Sequence, residues 1–243
     1  MKKLKFLYVV LWSVLLLLQV SCNNSEKATS TADSTNTKST ESIPAASNIV
    51  TTPEGIVIVR YKVSDFAKWR TSYDTRDSMR TANGLHNYVL GRGVEDTSVI
   101  MVALKADDMA KAKAFTKDAS LQTALQKGYV VGAPKYTFST VVYQDMSPNM
   151  ADLRAMSFFK VKDWDAWKTA FESGRQLRAD NGLTDRAYGY EEDDNHKVVL
   201  VAAINDYAKA KAFWNSDIMK QRRAEAGVVG EVERFVYRVI QKY

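Results

Sequence analysis

The chain has 243 residues, 46% of them hydrophobic and 26% charged, with a formal net charge of +6. These proportions fit an ordinary folded protein of one or two domains, and the positive charge is spread without a basic run, which argues against a nucleic-acid partner. A single cysteine, Cys22, and two histidines exclude an intrachain disulfide and most histidine-based metal sites, and no cofactor is expected.

The N-terminus reads Met1-Lys2-Lys3-Leu4-Lys5, then an apolar run from Phe6 to Val20, then Ser21 and Cys22. A basic start, an apolar stretch of about 15 residues and a small residue before the cleavage point are the parts of a secretory signal. The run is shorter than the roughly 20 residues that a spanning helix needs. Leu18-Gln19-Val20-Ser21-Cys22 resembles the lipobox of bacterial lipoproteins, with Gln19 where leucine is usual. The resemblance implies cleavage before Cys22, lipid on that cysteine and the membrane as a partner. The protein would then be lipid-anchored in the cell envelope, on its periplasmic or outer-membrane side. Residues 1–21 form the expected signal peptide, and residues 22–52 the lipidated cysteine and a disordered tether. The tether is rich in Ser, Thr, Asn and Ala and has no aromatic residue, too little apolar surface to offset the entropy of ordering.

The remainder repeats itself at an offset of 98 residues without a gap. Val63-Ser64-Asp65-Phe66-Ala67-Lys68-Trp69 matches Val161-Lys162-Asp163-Trp164-Asp165-Ala166-Trp167, Asn83-Gly84-Leu85 matches Asn181-Gly182-Leu183, and Ala110-Lys111-Ala112-Lys113-Ala114-Phe115 recurs from Ala208 to Phe213. Between Val63 and Gly132 about 20 of 70 positions are identical to their mates, the mark of a duplicated unit. The expected domains are residues 53–146 and 150–243.

Each copy reads in the same order. First strands are expected at 55–63 and 153–161, apolar on both faces and therefore covered on both. A helix follows, N-capped by Asp65 or Asp163, with Phe66, Trp69 and Tyr73, or Trp164, Trp167 and Phe171, on one apolar stripe. Asn83-Gly84 and Asn181-Gly182 end these helices. Arg80 and Arg178 near the ends are expected to face the helix dipole or surface carboxylates. Second and third strands flank polar turns at Glu95-Asp96-Thr97-Ser98 and Asp193-Asp194-Asn195-His196. A second helical region, broken before Leu121 and Met219, leads to fourth strands at 136–143 and 232–240.

That order, β-α-β-β-α-β, is the ferredoxin-like arrangement, so the fold class is α+β. One such sheet has helices on one face only, and a second copy can cover the other. Val63-x-Asp65-Phe66-x-x-Trp69 and Val161-x-Asp163-Trp164-x-x-Trp167, with the Asn-Gly-Leu and Ala-Lys-Ala-Phe segments, resemble the dimeric α/β-barrel superfamily that includes antibiotic-biosynthesis monooxygenase-like domains. The resemblance implies two tandem ferredoxin-like units pairing as an intrachain pseudo-dimeric barrel. It also brings in cofactor-independent oxygenation, haem breakdown or simple binding as activities. Haem-degrading members have an Asn on the first strand, which Ile56–Tyr61 and Ala155–Phe159 lack.

Polar and aromatic strand residues are the candidates for lining a space between the sheets: Arg60, Tyr61, His86, Tyr88, Arg186, Tyr188 and Tyr190. Strand alternation puts His86 and Tyr88 on one face, and Arg186, Tyr188 and Tyr190 on the matching face. Such a set fits a small aromatic or anionic ligand. The leading expectation is therefore a small-molecule-binding envelope lipoprotein. A cofactor-independent monooxygenase-like enzyme and a structural module of an envelope assembly are the alternatives, and the volume between the sheets decides among them.

Overall fold

A computed structural model describes residues 48–243, all of which belong to one compact unit. The expected signal peptide, Cys22 and most of the expected tether lie outside the described residues. Within the described residues no helix is long and apolar enough to cross a membrane.

A short strand β1 (Ile49–Val50) precedes β2 (Glu54–Val63), α1 (Phe66–Asp74), α2 (Asp77–Ala82), β3 (Leu85–Gly93), β4 (Val99–Ala106), α3 (Met109–Phe115), α4 (Ala119–Lys127) and β5 (Val130–Asp145). The second copy supplies β6 (Leu153–Val161), α5 (Trp164–Ser173), α6 (Arg175–Asp180), β7 (Leu183–Glu191), β8 (Asp194–Ile204), α7 (Tyr207–Trp214), α8 (Asp217–Glu225) and β9 (Val228–Lys242). Ile49 and Val50, at the end of the expected tether, instead pair with Asp145 and Gln144 of β5.

The strands hydrogen-bond in the order β1-β5-β2-β4-β3-β9-β6-β8-β7, and β7 returns to β5. Each copy is a four-stranded antiparallel sheet of ferredoxin-like order. The two sheets meet at two seams, β3–β9 and β5–β7, and close an eight-stranded barrel within one chain. Closure removes the edges that two open sheets would expose.

Sequence accounts for the elements locally. The Asp65, Asp108, Asp163 and Asp206 carboxylates each accept from the backbone N–H three residues on, at 2.7–3.1 Å, satisfying donors that a helix start leaves unpaired. The first expected helix is two helices in each copy, broken at Thr75-Arg76 and at Gly174. Arg80 Nη1 donates to the Tyr73 carbonyl at 2.9 Å and Arg178 Nη1 to the Phe171 carbonyl at 2.7 Å. Both guanidiniums thus serve a carbonyl of the last turn before the break, which also accepts a backbone N–H, and each lies on the ring of the same residue. They serve the C-terminal end of a helix, the first of the two expected roles, and do so as buried groups.

Alternation along β2 sends Val57, Val59 and Tyr61 into the helix-covered core with Trp69 and Phe115. Ile56 and Ile58 go inward to a core shared by both copies, with Met101, Met156, Val199 and Tyr237. This two-sided burial is why the first strands carry apolar residues in succession. The fourth strands are longer than expected, starting at Val130 and Val228. Gly132 (φ 73°) and Gly230 (φ 71°) sit there beside register shifts in the pairing with β2 and β6. The glycines mark irregularities within a strand and not its limits.

Candidate functional site

The barrel encloses a chamber of about 310 Å³, at the lower edge of the roughly 300–1,000 Å³ typical of ligand pockets. Its walls are apolar and come from both copies: Ile56, Ile58 and Met101 from the first, Met156, Val199 and Val201 from the second. Phe158 and Phe235 pack against the same core. The Arg60 guanidinium lies 4.5 Å from the Phe158 ring centre and 5.6 Å from that of Phe235, and Nη2 reaches Glu233 at 2.6 Å. Glu233 also takes Lys135 Nζ at 2.7 Å, tying the two copies together at equivalent positions.

One end of the chamber is a polar mouth. Tyr88 Oη donates to Gln144 Oε1 at 2.8 Å, and Gln144 Nε2 donates to Glu54 Oε2 at 2.6 Å. Lys105 Nζ donates to Glu54 Oε1 at 3.0 Å. Burial pushes the Glu54 carboxyl up, but the bonds from Gln144 and Lys105 outweigh it and hold the group below its ordinary range. Burial raises the Tyr88 phenol, so it stays a neutral donor. Across the mouth stand Arg154, Arg186 and Lys242. Arg154 is 4% exposed and gives Nη1 to the Ala151 and Leu153 carbonyls at 2.6 and 2.9 Å. Arg186 reaches Asp145 at 3.4 Å and the Ser147 carbonyl at 2.9 Å.

Of the seven residues expected at this site, the structure brings Tyr88 and Arg186 to the mouth, while Arg60 does not line the chamber and lies over Phe158 and Phe235. Tyr61 faces the helices, 6.0 Å from Trp69 edge to face. His86 is exposed and bonds Asp107 at 2.9 Å. Tyr190 meets Trp164 edge to face at 4.9 Å. Tyr188 touches the chamber wall, but its ring stacks on Tyr143 and its hydroxyl donates to Glu172 on the helix side. The expected alternation fails because β3 is bulged between Asn87 and Val89, and β7 between Asp185 and Ala187. A bulge reverses the facing of everything beyond it. Arg154, Lys242 and Gln144 belong to the mouth and were not expected there. The signal for them was a position-by-position comparison of the copies, since Arg154 and Lys242 stand where the first copy has Ile56 and Gln144.

Two smaller spaces, of about 80 and 110 Å³, lie between the helices and sheet of each copy. In the first copy Ala124, Leu125 and Tyr136 line this space, and in the second Arg222, Arg223 and Arg234 replace them. Burial, reinforced by Arg223, pushes Arg234 down to about 10, and its guanidinium lies 4.1 Å from the Trp214 ring centre. Neither histidine lines any of the three spaces, so a haem ligated through histidine finds no axial donor in them. The acidic turn after β7 is engaged by Lys113, which bonds Glu192 and, at 2.7 Å, Asp193.

Solved structures share this fold. An anthrone oxidase-like protein superimposes with a TM-score of 0.56 at 12% identity, over 80% of this chain and 95% of its own. A monooxygenase candidate from Fusobacterium nucleatum gives 0.51 at 11% identity, over 79% and 94%. A chlorite dismutase candidate gives 0.50 at 15% identity, over 78% and 96%. At such identities the likeness establishes the fold alone. No protein-family model matches the sequence, and no curated protein matches it.

Proposed function

We propose that this protein is an envelope lipoprotein that takes a small, mainly apolar molecule into the chamber between its two copies. The observation that carries the reading is the chamber: it is walled by side chains of both sheets and has a polar mouth. A space of this size inside a protein is unusual unless it is used, because interiors pack as densely as organic crystals. Cys22 and the segment before it support the envelope address, since the apolar run ends on the only cysteine. Labelling with a radioactive fatty acid, lost in Cys22→Ala, tests the anchor.

The oxygenase reading has only the fold in its favour. Tyr188, one of the candidate phenols, has its hydroxyl on Glu172, which does not line the chamber. The assembly reading requires a large apolar patch, whereas among the described residues the exposed large apolar side chains lie where β1 meets the end of β5 and the loop after it, at Tyr129 and Val131, in α8, and on β9 and Tyr243 after it.

Binding is tested with naphthalene as a neutral apolar probe. Calorimetry is expected to show one molecule per chain. Ala103, on the chamber wall, is then replaced. Ala103→Phe fills the space and is expected to weaken the probe at least tenfold, while thermal unfolding checks that the variant still folds. Unchanged affinity in a folded Ala103→Phe variant would place the site elsewhere.

A further inference from the structure

The mouth of the chamber is asymmetric in charge, and the duplication shows where the asymmetry arose. Three rim positions are equivalent under the offset of 98. In the first copy they hold Ile56, Tyr88 and Gln144, all neutral; in the second they hold Arg154, Arg186 and Lys242, all cationic. No fold requirement asks for three cations there, since the first copy builds the same strand ends without them.

The charges are poorly compensated within the chain. Among the described residues Arg154 has no carboxylate within ion-pairing distance and bonds only backbone carbonyls. Asp152, on the adjoining segment, is engaged by Arg238. Arg186 has Asp145 at 3.4 Å, and Asp145 also accepts from the Ser147 N–H at 2.8 Å. Lys242 has no carboxylate partner among the described residues, and burial together with Arg154 and Arg186 pushes its ammonium down. Glu54 on the opposite rim is occupied by Lys105 and Gln144. Three cations therefore face one carboxylate at the entrance to an apolar chamber. Holding such charges together in a partly desolvated site is unfavourable unless an anion joins them, and guanidiniums are suited to the paired oxygens of an acid group.

We infer that the molecule held in the chamber is an amphipathic acid, its anionic group at Arg154, Arg186 and Lys242 and its apolar body in the barrel. This rests on the chamber being a binding site and adds the chemical class of the occupant. Tyr88 and Gln144 complete the rim as neutral hydrogen-bonding groups.

The test compares octanoate with 1-octanol, which share a chain and differ in the head group. The unit 45–243 is used, because its sheet and all its cores lie within it. Calorimetry is expected to show octanoate binding at least tenfold more tightly than octanol. In Lys242→Gln, which installs the first copy's residue at an exposed position, the preference is expected to shrink. In the double variant Arg186→Tyr/Lys242→Gln it is expected to fall below threefold while octanol affinity holds. Equal affinities for acid and alcohol in the unaltered protein would overturn the anion assignment and leave the chamber reading standing. Absence of binding by both would overturn the chamber reading, and this inference with it.

Discussion

Gly189→Ala is expected to destabilise the protein by about 3 kcal/mol, near the top of what overpacking a close-packed site costs, and to lower its Tm by roughly 6–12 °C for a domain of this size. Gly189 lies in β7 opposite Val141 of β5, at one of the two seams that close the barrel. A Cβ there would lie 2.7 Å from the Val141 Cα and against the Thr140 carbonyl oxygen. Both obstacles are backbone, so relief requires the strands to part. The equivalent residue, Gly91 in β3, stands at the other seam, where a Cβ would meet the Tyr237 ring, with Cε2 at 2.9 Å. That obstacle is a side chain, so Gly91→Ala is expected to cost less. Urea unfolding of both variants checks the order. Equal, small losses below about 0.5 kcal/mol, the usual range for harmless surface changes, would mean that the seams are not closed as described.

Asp185→Ala is expected to cost about 3–5 kcal/mol, the range for removing one partner of a buried ion pair. Asp185 is 4% exposed and accepts from Arg178 Nε at 2.7 Å and Nη2 at 2.6 Å, a bidentate pair of the strong kind. Its removal leaves the Arg178 guanidinium buried with only the Phe171 carbonyl. The first copy again provides the comparison. Asn87 occupies the same position and meets the Tyr73 hydroxyl and, at 2.7 Å, Asp77, while Arg80 turns to Asp77 at 3.1 Å. Asn87→Ala therefore strands no buried charge and is expected to cost about 1 kcal/mol, the net worth of an ordinary hydrogen bond. Chemical denaturation of the two variants side by side measures the gap. A loss for Asp185→Ala no larger than for Asn87→Ala would contradict the role given to this pair.

These contrasts show which features were legible in the sequence. The duplication, the element order and the aspartate caps follow from local chemistry that repeats in register, and the structure has them. Closure into a barrel followed from the one-sided cover of each sheet. The fourth strands begin earlier than local chemistry suggests: Gly132 and Pro134 look like turn residues, whereas long-range pairing carries the strand through them. The candidate site was legible only in part. Bulges in β3 and β7 depend on tertiary pairing and have no local signature, so alternation puts Tyr190 on the chamber side, where it does not lie, and does not foresee that Tyr188 turns its hydroxyl to Glu172. Arg154 read as one charged residue in an apolar strand, and Lys242 as part of a polar terminus. Their meeting at one mouth requires the β6–β9 pairing that only the folded chain supplies. The seam glycines did leave a signal, since a glycine within each of two equivalent strands marks a close approach.

The two copies close one barrel within a single chain. Arg92 and Arg238 lie directly opposite each other across the β3–β9 seam, and directly paired residues of antiparallel strands are within disulfide reach. In the unit 45–243, which contains no cysteine, the variant Arg92→Cys/Arg238→Cys is oxidised at low protein concentration and its mass read under non-reducing conditions. A single-chain mass with both thiols consumed is the predicted result. Disulfide-linked dimers, or two free thiols, would contradict closure within the chain.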